Sequence, residues 1–114
     1  MKAFNLGNLG RAPFAARVVT VAGVQAIIMP YMYPIDMKEK ALIKDAVRHC
    51  AAQGVSHRDL KPAHVGQFSA RKGGDRPVGF TDFGRHILFD PCVQSECDNA
   101  ERDMRKKLFG EFEA

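Results

Sequence analysis

The stretch SHRDLKPAHVG, residues 56–66, concentrates charged, titratable and conformationally restricted residues in one short run. A second motif, DFG at residues 82–84, follows it, and Asp59 and Asp82 lie 23 residues apart. Between the motifs, Val65–Phe68 and Val78–Thr81 are short apolar runs separated by a polar segment with two adjacent glycines. This pattern predicts a β-hairpin. The order is therefore loop, hairpin and DFG.

HRDLKP followed by DFG in this order resembles the protein-kinase family. Lys61, within LKP, resembles the serine/threonine type. The resemblance implies phosphoryl transfer, in which positioning and charge neutralisation matter more than covalent chemistry. It implies that Asp59 accepts or orients the proton of the substrate hydroxyl and that Lys61 offers a cation to the transferring phosphate. It also implies that Asp82 ligates Mg²⁺, a cation that prefers oxygen ligands.

His64 departs from the family pattern, which has Asn at this position to help hold a second Mg²⁺. Imidazole is a nitrogen ligand and suits Zn²⁺ or Mn²⁺ better than Mg²⁺. We therefore take Asp82 and His64 as the candidate metal ligands. A weakened kinase, or a pseudokinase without catalysis, becomes an alternative to an active enzyme.

The upstream segment AIIMPYM, residues 26–32, resembles the last strand of the kinase small lobe and the hinge that follows it. The resemblance makes Met29 the gatekeeper and places Pro30, Tyr31 and Met32 where backbone groups contact adenine. It implies ATP and Mg²⁺ as cofactors. The expected cofactor-binding residues are Met29, Pro30, Tyr31, Met32, Lys61 and Asp82.

Other kinase elements have no counterpart in these 114 residues. There is no GxGxxG loop, since the glycines of LGNLG (residues 6–10) are only three apart, and there is no V-A-I-K strand or A-P-E segment. Phosphoryl transfer by this chain alone is therefore not expected. Two alternatives stay open: a non-catalytic pseudokinase-type interaction protein, and a piece of a longer gene product. The implied partners are a protein substrate or a partner kinase.

The fold class that we predict is α+β, a kinase-like fragment with an amphipathic C-terminal helix. Val18–Val21 and Gln25–Met29 predict a further hairpin. Helical periodicity predicts a helix over residues 36–53, capped by Asp36, and another over 95–112, capped by Ser95. The second helix either covers the core or binds a partner. The expected divisions are an N-terminal extension (1–12), a partial kinase-like domain (13–90) and a C-terminal helical tail (91–114).

Composition limits the other function classes. The net charge of +4 comes from dispersed basic residues without a nucleic-acid-binding motif, which argues against nucleic acid as a partner. The apolar run from Val18 to Met32 is interrupted by polar residues and Pro30, so we expect no membrane span.

Three cysteines, an odd and low count, favour a reducing, cytoplasmic compartment. The basic, acid-free N-terminus leaves a targeting peptide as an alternative, although it lacks serine and an amphipathic period.

Overall fold

The computed structural model describes residues 1–8, 10–69 and 76–110. Helices and short antiparallel strands alternate along the chain, which confirms the α+β prediction. The helices are α1 (Lys2–Gly7), α2 (Lys40–Ala52) and α3 (Gln94–Phe109), with a one-turn 3₁₀ helix at Pro62–His64. The strands are β1 (Arg17–Val21), β2 (Val24–Ile28), β3 (Met32–Pro34), β4 (Val55–Ser56), β5 (Val65–Phe68), β6 (Val78–Phe80) and β7 (Ile87–Leu88).

The described strands form three small antiparallel sheets. β1 pairs with β2 in the predicted upstream hairpin, with Val19 opposite Ala26. β3, β5 and β6 form a three-stranded sheet in that order, so the hairpin predicted between the two motifs is confirmed. The glycine-containing turn predicted between β5 and β6 lies mostly outside the described residues. β4 pairs with β7, which ties the segment before HRDLKP to the segment after DFG.

Helix α2 begins later than predicted, at Lys40. The capping role that we expected for Asp36 is wrong. Its carboxylate accepts the backbone N–H of Lys38 at 2.9 Å, and its carbonyl accepts the N–H of Glu39 at 3.0 Å. Asp36 therefore closes a local turn ahead of the helix, a conformation that aspartate favours. The helix ends where predicted, before Gly54, which has a φ of 81°.

Helix α3 begins at Gln94 with Val93 as its capping residue, so the prediction that Ser95 caps it is wrong. Ser95 already lies within the first turn. The helix packs one face against α2 and buries Cys97, Ala100 and Met104. This face covers the core, which is one of the two roles left open for the helix. Phe112, which we expected to extend its apolar stripe, lies outside the described residues.

The core lies between α2, α3 and the three-stranded sheet. Ile43, Val47, Phe68, Phe80 and Met104 are fully buried there. Burial also raises the pKa of the Cys50 thiol to about 12, because a thiolate is poorly stabilised away from water. Across the residues that the structure describes, no helix is long and apolar enough to cross a membrane.

Helix α1 has no counterpart in the sequence-based prediction, which treated residues 1–12 as an extension. Its residues Ala3 and Phe4 are buried and join the core. Asn5 anchors it to the following segment: its Nδ2 donates to the carbonyl of Ala16 at 3.1 Å, and its Oδ1 accepts the Ala16 N–H at 2.7 Å. The helix packs against α2, β4 and β6.

Candidate functional site

His57 links the first motif to the residue before DFG. The side chain is fully buried, and its Nε2 lies 2.7 Å from the carbonyl oxygen of Thr81. Because a carbonyl can only accept, Nε2 carries the hydrogen, and Nδ1 accepts the backbone N–H of Asp59 at 3.2 Å. Burial lowers the pKa of His57, with the Thr81 carbonyl opposing this shift. A neutral imidazole thus holds the two motifs together.

Phe83 of DFG packs among other rings. Its centroid lies 4.7 Å from that of His57. Phe4 of α1 meets Phe83 edge-on at 6.1 Å. Gly7 passes so close that a Cβ there would lie 2.9 Å from the Phe83 ring. The ring of Phe83 is therefore enclosed by the first motif on one side and by α1 on another.

His64 bridges the loop and the DFG carboxylate. It is nearly buried, and its Nδ1 lies 2.9 Å from the carbonyl oxygen of Asp59. Its Nε2 lies 2.9 Å from Oδ2 of Asp82. The Asp59 carbonyl can only accept, so Nδ1 carries a hydrogen, and Nε2 faces the Asp82 carboxylate, also an acceptor, at hydrogen-bond distance. The backbone of His64 is held too, by Lys61 O at 2.8 Å and Thr81 N at 2.9 Å.

Two residues of the site have a left-handed backbone that only glycine adopts easily: Arg58, with φ 73°, and Asp82, with φ 60°. Such conformations cost about 1–3 kcal/mol each and concentrate at functional sites. The carbonyl of Arg58 accepts a hydrogen bond from Nζ of Lys107 at 2.7 Å. Helix α3 therefore fastens the loop at one of its strained positions.

The predicted catalytic residues differ in exposure. Asp59 is partly buried between His57 and His64, which contact its backbone N–H and C=O. Lys61 is exposed at the entrance to the 3₁₀ turn. The Asp82 side chain is 68% exposed, so it is open to a ligand from solvent.

A cleft of about 360 Å³ lies beside these residues. Ala63, next to His64, and Thr81, next to Asp82, both line it. Tyr31 and Met32 of the predicted hinge line it as well. Of the other two hinge residues, Met29 is 43% exposed and Pro30 is buried. The volume falls within the range of small-molecule sites, near its lower end.

The donor set available to a metal is small. Within residues 1–8, 10–69 and 76–110, no three His, Cys, Asp or Glu side chains converge on one point. The donors brought together are Nε2 of His64 and Oδ2 of Asp82. Mg²⁺ prefers ligands that are all oxygen atoms. This pair of one nitrogen and one oxygen does not meet that preference.

Asn8 supports the site without having been predicted from the sequence. Its side chain is 2% exposed and acts as an extra pairing partner for β6. Nδ2 donates to the carbonyl of Phe80 at 2.9 Å, while Oδ1 accepts the Phe80 N–H at 2.8 Å. This fixes the strand two residues before Asp82. The LGNLG pattern gave no signal for this role, since the two partners lie 72 residues apart.

The segment that carries HRDLKP matches a known sequence family. The model of a family of unknown function (DUF5898) matches residues 8–68, more than half of the chain. The chain belongs to this family. The DUF5898 match begins at Asn8 and runs through β5, so it includes HRDLKP and His64. It ends before the DFG motif.

A second comparison finds local similarity to a protein kinase. Calcium-dependent protein kinase 21 of Oryza sativa subsp. japonica is 43% identical to this DUF5898 chain over 49 residues. These residues make up 43% of the chain and 8% of the kinase. The similarity therefore indicates a relationship to kinases over a short segment, and the chain matches a small part of the rice enzyme's length.

Proposed function

We propose that this DUF5898 chain is a serine/threonine-kinase-like module that binds ATP and does not by itself complete phosphoryl transfer. One observation carries the proposal: the two kinase-like motifs, separate in sequence, meet in one site. His57 contacts Phe83, and His64 lies 2.9 Å from Asp82. The local similarity to a plant protein kinase supports the same assignment.

The cleft and the charged residues suggest how the nucleotide is oriented. Apolar and backbone groups of the cleft, including those of Tyr31 and Met32, suit a planar base. Ala63 and Thr81 in its lining are the immediate neighbours of His64 and Asp82. The phosphates would then extend toward Asp82 and Lys61. In this orientation Asp82 holds the cation that accompanies the nucleotide, and Lys61 offers a second positive charge.

Phosphoryl transfer needs further electrostatic groups. In kinases, a strand lysine and a glycine-rich loop also contact the phosphates, and these 114 residues contain neither motif. Removing one group aimed at developing charge in an active site typically lowers the rate by about 10²–10³-fold. Binding without efficient transfer is therefore the function that this set of residues supports. Asp59 would take part in phosphoryl transfer once a partner protein supplies those groups.

A second candidate is a non-catalytic interaction protein of the pseudokinase type. The observation that favours it is His64, which occupies the place where the kinase pattern has a metal-binding Asn and pairs with Asp82 instead. A pure interaction protein would show no saturable nucleotide binding, and this outcome separates the two candidates.

The test is thermal unfolding of the chain with and without ATP, in Mg²⁺ and separately in Mn²⁺. At ten times its dissociation constant, a ligand stabilises the folded state by about 1.4 kcal/mol, a rise in Tm of roughly 5 °C for a domain of this size. Ala63→Phe fills the cleft from an exposed position and should abolish the rise. The matched control is Ala41→Phe, at an exposed position of α2 outside the cleft. No rise in the unmodified chain, in either metal, would refute the proposal.

A further inference from the structure

We infer that Cys92 and Cys97 form a reversible disulfide across the start of helix α3, a modification site that responds to the glutathione redox state. Neither residue lines the cleft of the proposed nucleotide site, so the inference is independent of the proposed function. The third cysteine, Cys50, is fully buried in the core and takes no part in the pair.

A tight turn places Cys92 directly ahead of the helix. Asp90 and Val93 close this turn, because the N–H of Val93 donates to the carbonyl of Asp90 at 3.2 Å. Pro91 and Cys92 are its two central residues, and proline favours the first of these positions. The carboxylate of Asp90 also accepts the N–H of Cys92 at 2.9 Å. The backbone of Cys92 is therefore held in place while the residue stays exposed to solvent.

The same turn is fastened to the end of helix α2. The N–H of Phe89, just before the turn, donates to the carbonyl of Gly54 at 2.8 Å. Gly54 lies so close to the turn that a Cβ there would be 3.2 Å from Cδ of Pro91. Because α2 also packs against α3, these contacts hold the turn and the first turn of α3 in a fixed relation.

Cys92 and Cys97 occupy two positions whose side chains commonly touch at a helix start. Val93 caps α3, so Cys92 is the residue before the cap and Cys97 is the fourth residue of the helix. Apolar side chains at these two positions often pack together as a hydrophobic staple. The N–H of Cys97 donates to the Val93 carbonyl at 3.3 Å, as the first helical turn requires. The two thiols thus stand where contact across the cap is the ordinary arrangement.

The sulfur of Cys97 points toward the turn. Its Sγ lies 3.5 Å from the carbonyl oxygen of Pro91, the residue whose carbonyl carbon is bonded to the nitrogen of Cys92. In a trans peptide, such an oxygen lies about 2.8 Å from Cα of the next residue. Sγ of Cys97 is therefore no more than about 6.3 Å from Cα of Cys92. Rotation of the exposed Cys92 side chain, with a small shift of the turn, closes the remaining gap.

The two thiols have different parts in the reaction. Burial raises the pKa of the Cys97 thiol, and the carboxylates of Asp98, Glu96 and Asp90 raise it further. The thiolate is the nucleophile in thiol chemistry, and access to the oxidant also controls the rate. Exposed Cys92 is therefore the residue that reacts first, and Cys97 is the one that resolves the intermediate.

The reaction is an exchange with glutathione disulfide. The Cys92 thiolate attacks one glutathione sulfur, a mixed disulfide forms, and the first glutathione leaves as a thiolate that takes up the proton lost by Cys92. The Cys97 sulfur then attacks the Cys92 sulfur, the mixed disulfide breaks, and the second glutathione leaves with the proton of Cys97. The chain loses two electrons and two protons, and glutathione disulfide becomes two glutathione thiols. Excess glutathione reverses both steps. The sequence predicts a reducing compartment, where protein disulfides are usually transient and redox-sensing.

The experiment equilibrates the full chain with mixtures of reduced and oxidised glutathione, quenches with acid, and alkylates the remaining thiols with iodoacetamide before digestion with trypsin. Both cysteines of the pair lie in one tryptic peptide, residues 86–102, and Cys50 lies in another, residues 49–58. The bridge is therefore seen as an unalkylated 86–102 peptide that is about 2 Da lighter than its dithiol form.

The decisive comparison is between the native chain and the same chain unfolded in urea. We expect an equilibrium constant for the bridge that is at least about tenfold higher in the native chain, because the fold raises the effective concentration of one sulfur near the other. The same factor must appear in the folding equilibrium, so the Tm of the oxidised chain should rise by roughly 5 °C.

The variants separate this pair from any other thiol reaction. Cys92→Ser, at an exposed position, should remove the bridge and leave Cys97 available to iodoacetamide. Cys50→Ala is the matched control and should form the bridge as the unmodified chain does, with thermal unfolding used to verify that each variant folds. An equilibrium constant in the native chain no higher than in urea, or a lower Tm after oxidation, would overturn the inference. A mixed disulfide of Cys92 with glutathione that never proceeds to the bridge would overturn it as well.

Discussion

Asn8, the residue that ends helix α1, bonds to β6 at the edge of the three-stranded sheet. Its amide satisfies both backbone groups of buried Phe80, at 2.9 and 2.8 Å. Asn8→Ala leaves those two groups without these partners, and each buried unsatisfied group costs about 1–3 kcal/mol. We expect the free energy of unfolding, measured with urea, to fall by about 2–4 kcal/mol.

The control for Asn8 is Asn99→Ala on the exposed face of α3, where a change within about 0.5 kcal/mol is expected. An equally small change for Asn8→Ala would show that water replaces its hydrogen bonds, and the anchoring role would have to be given up.

His57 makes the stability of the fold depend on pH. Burial lowers its pKa in the folded state below the ordinary histidine value of about 6.5. Below pH 6.5 the unfolded chain therefore takes up a proton that the folded chain resists. Stability should fall as the pH drops from 6.5 toward the folded-state pKa, by up to about 1.4 kcal/mol per pH unit. The charged and titratable groups that act on His57 are His64, Asp59 and Asp82.

The measurement for His57 is urea unfolding at a series of pH values between 7.5 and 5. His57→Phe keeps a ring against Phe83 and removes the titrating group, so it should flatten the curve in this range. A slope that is the same in the variant would assign the pH dependence to other groups.

At the scale of secondary-structure elements, α3 completes the core that α2 and the sheet leave open. Met104 is fully buried at this contact. Met104→Ala leaves a cavity there, and buried Met-to-Ala changes typically cost about 2–5 kcal/mol. Urea unfolding should show a loss in that range, whereas Arg102→Ala on the exposed face should change little. A loss below about 1 kcal/mol for Met104→Ala would mean that α3 is not part of the cooperative core.

Some elements follow from the sequence and others do not, for physical reasons. The hairpins show short apolar runs on either side of a turn, the body of α2 shows helical periodicity, and both were predicted. The caps at Asp36 and Ser95 were wrong because a polar residue can close a local turn or lie within the first helical turn equally well. Helix α1 has only six residues, and its partners, such as Phe80 for Asn8, lie far away in the chain. No local pattern could have indicated it.

Some features of the candidate site were likewise indicated by the sequence, and others depend on the folded chain. The identities of Asp59, Lys61 and Asp82 as site residues came from motifs, and they stay predictions. The resemblance already grouped His64 with Asp82 as candidate metal ligands, but the direct 2.9 Å contact between the two side chains depends on the return of the chain through β5 and β6. The left-handed backbone at Asp82 is likewise a product of the folded loop.

At the scale of the whole molecule, the chain divides into a packed body and an exposed hairpin. β5 and β6 bury most of their residues, whereas nearly all residues of β1 and β2 are exposed. A two-stranded hairpin of this kind is at best marginally stable alone. Amides of β1 and β2 should therefore exchange hydrogen with solvent much faster than those of β5 and β6, as measured by native-state hydrogen exchange. Equal protection would show that the hairpin is covered, for example by a second copy of the chain.

The nucleotide site that we propose is formed by the two kinase-like motifs together. The most direct measurement is isothermal titration calorimetry with ATP, in the presence of Mn²⁺ and separately of Mg²⁺. The unmodified chain and the Asp82→Asn variant are both titrated. We expect saturable binding of one nucleotide per chain, and markedly weaker binding in Asp82→Asn. A folded chain that shows no saturable ATP binding in the presence of either metal would contradict the proposed nucleotide site. The fold would then keep the kinase-like motifs without binding the nucleotide.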